Sequence, residues 1–173
     1  MQRLGRPRVA GVAGGVGTTT IAVALHAEDG RVWRGDVAVH VLVCRSTMTS
    51  LASAQAAAAA AAARGSTAVL AVVGDGGSLT APMRASLRMV DPYVAGVVHV
   101  PYVAGLRDLV RPWDAAADVL ATGAPPRELR RFADALAGLA DAVTAALVGG
   151  GGPARADVEL RGRVSARPWP LAM

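Results

Sequence analysis

A chain of 173 residues that is 53% hydrophobic can form one compact domain with its own core and is too short for two full ones. Aromatic residues make up only 3%, so that core must come mainly from alanine, valine and leucine, through many small contacts rather than a few large anchors. The net charge is +5 and all 18 basic residues are arginine; the absence of lysine excludes any chemistry that needs a lysine from this subunit.

In chain order, Arg8–Val12 reads as a short buried strand and Gly14, Gly15 and Gly17 as the loop after it. Thr18 to about Ala27 reads as a helix with Ile21, Ala22, Ala24 and Leu25 on its apolar face, ended by Asp29 and Gly30. Arg31–Gly35 reads as a short polar connection around Trp33. Val37–Cys44 is a buried-strand run rich in β-branched residues. Ser46 or Thr49 is placed to cap a following helix that runs through the alanine tract to Ala63, with Gly65 closing it. Ala68–Val73 is a further strand, Gly74–Gly77 a loop, Ala81–Val90 a helix and Val94–Val100 a strand stopped by Pro101. Leu106–Leu120 is a weaker helical region interrupted by Pro112. Arg127 to about Leu147 is a long helix whose Leu129, Phe132, Leu136, Leu139 and Val143 recur every three or four residues.

Strands that are apolar on both faces and alternate with helices predict a doubly wound α/β domain, with a mainly parallel sheet and helices on both faces. The expected organisation is one domain over residues 1–148 and a flexible Gly/Pro/Arg-rich tail over 149–173. Ligands in such folds bind at the carboxyl ends of the strands. That expectation gathers Gly14–Thr20, Cys44–Thr47, Gly74–Gly77 and Pro101–Val103 around one site.

Other residue classes narrow the field. The arginines are scattered and no basic cluster interleaves with aromatics, so the charge reads as solvated surface more than as a nucleic-acid site. Cys44 stands alone, which suits a reducing cytoplasm, and His26, His40 and His99 are too far apart in sequence to suggest a metal cluster. The basic N-terminus leads into glycines and threonines rather than a signal-peptide core, and the apolar run Ala54–Ala63 is about half the length needed to span a bilayer. Arg45 could contact a phosphate or a partner carboxylate, and Asp75 a base or a metal, although Gly-Asp-Gly-Gly is also an ordinary turn.

The stretch Val9–Thr20 resembles the deviant Walker A motif of the MinD/ParA family of P-loop proteins, with Gly14, Gly15, Val16, Gly17, Thr19 and Thr20 matching position by position. The resemblance implies a P-loop NTPase-like fold and ATP or ADP held with Mg²⁺ by Gly14, Gly15, Val16, Gly17, Thr18, Thr19 and Thr20, Thr19 being the metal-binding hydroxyl. The departures are specific. Thr18 stands at the P-loop lysine, Ala13 at the family's second lysine and Val12 at the first glycine of the general pattern. The strand expected to end in the Walker B aspartate ends instead in Cys44 and Arg45, and one strand–helix unit of the family looks missing. Loss of those charges removes most of what phosphoryl transfer needs.

The expectation is therefore a degenerate MinD/ParA-like protein with weak or no hydrolysis, a regulatory or scaffold component of subcellular positioning (the CpaE-like branch, or DNA partition) that acts through a protein partner or as a homodimer. Two alternatives stay open: an ATPase completed by a partner in trans, and a ligand-free interaction module. The spacing Gly11-x-x-x-Gly15-x-Gly17 also matches short-chain dehydrogenases, but their Tyr-x-x-x-Lys pair cannot form here, and Tyr93 and Tyr102 have no such partner.

Overall fold

A computed structural model describes residues 6–149 apart from Thr122. Its frame is a five-stranded sheet in the order β2-β1-β3-β4-β5, with every pair parallel. The strands are β1 (Arg8–Gly11), β2 (Glu28–Val32), β3 (Val41–Arg45), β4 (Val69–Val73) and β5 (Gly96–Val100). The helices are α1 (Thr18–Ala24), α2 (Met48–Ala62), α3 (Ala81–Val90), α4 (Ala104–Arg107), α5 (Pro112–Ala117) and α6 (Arg130–Val148). The expected tail lies outside the described residues, apart from Gly149. Among the described residues no helix is long and apolar enough to cross a membrane.

The two-residue period of a strand sorts the core into two layers. Val9, Val41, Val43, Val69 and Ala71 face one way, into a cluster with Ile21 of α1 and with Phe132, Leu136 and Leu139 of α6. Ala10, Leu42, Cys44, Leu70 and Val72 face the other way, against Leu51, Ala54 and Ala58 of α2 and Leu87 of α3. The helices fall on opposite sides because the chain reverses direction across the sheet. It steps from β1 outward to β2, returns past β1 to β3, and then proceeds to β4 and β5. Right-handed crossovers taken in opposite directions land on opposite faces. The reversal leaves a switch point between β1 and β3, where the loops after the two strands diverge.

Several boundaries differ from expectation for local reasons. The first helix stops at Ala24, and His26 takes a left-handed φ of 50°, which turns the chain into β2. Glu28–Val32 is thus a strand rather than a connection, paired parallel with β1 and tied to it by the Arg8–Glu28 ion pair at 2.6 Å. The return from β2 to β3 contains no helix; Trp33 packs on the α2 side of the sheet and donates its Nε1–H to the Val37 carbonyl at 3.0 Å. Val37 is exposed, and β3 begins only at Val41. The cap of α2 is Thr47, whose hydroxyl accepts the Ser50 N–H, and not Ser46 or Thr49. Pro112 divides the weak helical region into α4 and α5 and occupies the first position of α5, where its missing N–H costs nothing. Arg127–Leu129 forms a 3₁₀ turn that leads into α6.

At the amino ends of the strands, His40 Nδ1 accepts the Arg8 backbone N–H at 2.9 Å. Burial, and then the Arg8 charge, hold the His40 pKa below its ordinary value, so the folded chain keeps the neutral ring that can accept this bond. The unfolded chain takes up a proton more readily. This contribution to stability is complete above the unfolded pKa of about 6.5 and is lost as pH falls through the window beneath it. Urea midpoints at about pH 7.5 and about pH 5.5 are expected to show a smaller acid loss in His40→Asn, whose Oδ1 can accept the same bond without titrating, than in the wild type.

Candidate functional site

The loop after β1 is built around a close return. Val16, only 4% exposed, turns its side chain down into the core beside Val9 and pins the loop from beneath. Gly15 and Gly17 have φ of 73° and 97°, left-handed conformations that glycine adopts without strain. The loop crosses so near the end of β1 that a Cβ on Gly11 would overlap the Thr18 hydroxyl and lie 2.6 Å from Val16 Cγ2. Gly14 and Gly15, by contrast, have no atom within 4 Å of where a Cβ would stand, so their outer side is open.

A cavity of about 450 Å³ opens beside this loop at the carboxyl ends of the strands. Gly15, Val16, Gly17 and Thr20 form one wall, and Arg45 and Asp75 stand at the ends of β3 and β4. Tyr102, Val103, Leu106 and Arg107 close the other side, with Phe132 of α6 at the base. The volume falls within the range of pockets that hold small organic ligands.

The three threonines diverge. Thr18 is 9% exposed and fills the space beneath the loop. Thr19 is turned outward and donates its hydroxyl to Asp29 Oδ2 of β2 at 2.8 Å. Thr20 alone of the three lines the cavity. Thr19, the hydroxyl that the resemblance implies for magnesium, is bonded to Asp29 on the β2 side and does not line the cavity. Among the described residues no group of three or more His, Cys, Asp or Glu could hold a metal ion.

Cys44 and Arg45, adjacent in sequence, face different ways. Cys44 is fully buried against α2, and burial pushes its thiol up to about 12, so it remains protonated and packs as a small hydrophobe. Arg45 reaches the cavity, and its Nη1 donates to the Gly15 carbonyl at 3.3 Å. The backbone N–H of Arg45 donates to Ser50 Oγ at 2.9 Å, which fixes the point from which the side chain departs.

Ser46 and Asp75 join the ends of β3 and β4. The Ser46 hydroxyl donates to Asp75 Oδ1 at 3.0 Å, and the Asp75 N–H donates back to Ser46 Oγ at 3.2 Å. The Ser46 hydroxyl first, then the Gly77 N–H and the Arg45 charge, hold the Asp75 carboxyl below its ordinary pKa. Asp75 is therefore a carboxylate at neutral pH, and among the described residues it is the only acid lining the cavity.

The segments expected at the strand ends do converge. The sequence gives no sign of Arg107 and marks Phe132 only as part of a packed helix face; they come from α4 and α6 and reach the cavity only through the fold. The Tyr102 hydroxyl, beside Arg107, raises the guanidinium pKa above its ordinary value. Tyr93 is at the opposite end of β5 from Tyr102, so the two tyrosines share no site. Searches against protein-family models, curated proteins and solved structures find no match to this chain.

Proposed function

We propose that the protein binds a phosphate-bearing small molecule, a nucleotide in the first instance, in the cavity at the carboxyl edge of the sheet, and turns it over slowly or not at all. The observation that carries this reading is the meeting of a left-handed glycine loop with the Arg45 guanidinium on the wall of one cavity of about 450 Å³. Glycines there bring backbone close to a ligand, and a guanidinium is a strong phosphate partner. The MinD/ParA-like loop sequence supports the same choice of ligand, with the ligand state read out by a protein partner or a second copy of the chain. Slow turnover follows from the site chemistry. The one cavity acid among the described residues, Asp75, is held ionised by two hydrogen bonds to its Oδ1, and the 173 residues include no lysine to neutralise a transferred group.

Calorimetric titration of the full chain with ATP, ADP, GTP and GDP tests this. Gly15→Asp is the control, because Cβ meets nothing within 4 Å there and aspartate tolerates a left-handed φ better than most residues. It places a carboxylate on the cavity wall without a clash. Saturable heat with the wild type and a loss of about tenfold or more in affinity in Gly15→Asp are expected. No heat with any of the four nucleotides would overturn the proposal.

A further inference from the structure

We infer that Arg45 and Arg107 form a two-sided clamp for the phosphate group, and that they make binding independent of a divalent cation; this rests on the nucleotide-binding reading above. The two guanidinium groups come from separate elements, the end of β3 and the end of α4, and line the same cavity. Neither makes an ion pair among the described residues, where the salt bridges are Arg8–Glu28 and Arg111–Asp114. Arg45 is half-buried and spends one of its donors on the Gly15 carbonyl, leaving most of its five N–H groups for a ligand. Asp75, the one cavity carboxylate among the described residues, has its Oδ1 engaged by Ser46 and Gly77; it feels the Arg45 charge but forms no salt bridge with either arginine.

Among the described residues, two cations and one anion leave this open cavity with a net positive lining, which an anionic group completes. A guanidinium fork fits two oxygens of one phosphate, a geometry an ammonium cannot supply. In most nucleotide sites a metal ion neutralises part of the phosphate charge. Here fixed guanidinium charge does so, while Thr19, the hydroxyl at the metal position, is bonded to Asp29 away from the cavity. The same cavity is lined by Val103, Leu106 and Phe132, an apolar surface suited to the uncharged body of a phosphate ester. The ligand class is thus a phosphorylated compound with an apolar or aromatic body, for which ADP and ATP are the probes.

The test is calorimetry of ADP and ATP with the full chain in excess EDTA and in excess magnesium, using wild type, Arg45→Gln, Arg107→Gln and the charge control Arg88→Gln from the exposed side of α3. The wild type is expected to bind within about twofold in the two buffers, and each clamp variant to lose about tenfold to a hundredfold in both. Arg88→Gln is expected to follow the wild type, and thermal melts confirm that all variants are folded. Binding more than about tenfold weaker in EDTA, or unchanged affinity in either clamp variant, would overturn the clamp while leaving the nucleotide-binding reading standing. A wild type silent in both buffers would remove the two together.

Discussion

Gly11→Ala is expected to destabilise the fold by about 3 kcal/mol and to lower its thermal midpoint by about 10 °C, an effect out of proportion to one methyl group. At most positions in a strand alanine and glycine differ little, and alanine is the better of the two. Here the added Cβ would overlap the Thr18 hydroxyl and lie 2.6 Å from Val16 Cγ2 and 2.9 Å from the Ala13 carbonyl oxygen. Relief by side-chain rotation is blocked on two sides. The Ala13 oxygen is backbone, and Val16 is packed into the core beside Val9. The loop would have to lift, and with it Val16. Thermal melts followed by circular dichroism check this. Adding Thr18→Ala to Gly11→Ala should recover part of the loss, because residues in contact are not additive. A single variant that melts within about 2 °C of the wild type would show that the loop does not cross the strand end this closely.

Leu136→Ala is expected to cost about 4 kcal/mol, read as a lower urea midpoint at unchanged slope. Leu136 is fully buried at the centre of the α6 stripe, where it meets the Val69 and Ala71 face of the sheet. The expected cost is in the upper part of what a buried leucine carries because of what surrounds it. A core of valines and alanines has short, stiff side chains that cannot swing into a vacated volume, so the cavity persists. Met89→Ala on α3, where the side chain is 58% exposed, provides the contrast and should change stability by no more than about 0.5 kcal/mol.

The central strands were legible because they are buried on both faces. β3 and β4 are unbroken runs of apolar residues, Val-Leu-Val-Cys and Val-Leu-Ala-Val-Val, and such runs have few alternatives in an α/β chain. The stripe on α6 was equally clear, since its period and length agree. β2 was not legible. Its Glu-Asp-Gly-Arg-Val has no apolar pattern, and backbone bonding to β1 with the Arg8–Glu28 pair defines it instead. For the site, glycine spacing revealed the loop, and the binding of ligands at the carboxyl ends of parallel strands indicated which segments gather there. The rotational phase of α1 was hidden. One residue of helix turns a side chain by about 100°, enough to send Thr19 toward Asp29 and Thr20 into the cavity. Arg107 was hidden because α4 and α5 are short pieces around a proline, with too few turns to show a face. The bond between Ser46 and Asp75 spans 29 residues and becomes predictable only once β3 and β4 are known to be neighbours.

The same lack of apolar character in β2 has a consequence for how molecules meet at high concentration. As the first strand in the sheet order, β2 has one edge unpaired among the described residues, and an unpaired edge is a template on which another chain can add a strand. Any chain docking there would have to lie against Glu28, Asp29 and Arg31 and desolvate them, while the left-handed Arg31, at φ 54°, interrupts the regular spacing of N–H and C=O groups. The acidic and basic groups along that rim thus act as a guard against runaway sheet-to-sheet assembly, a hazard that matters for a chain whose interior is so largely valine and alanine.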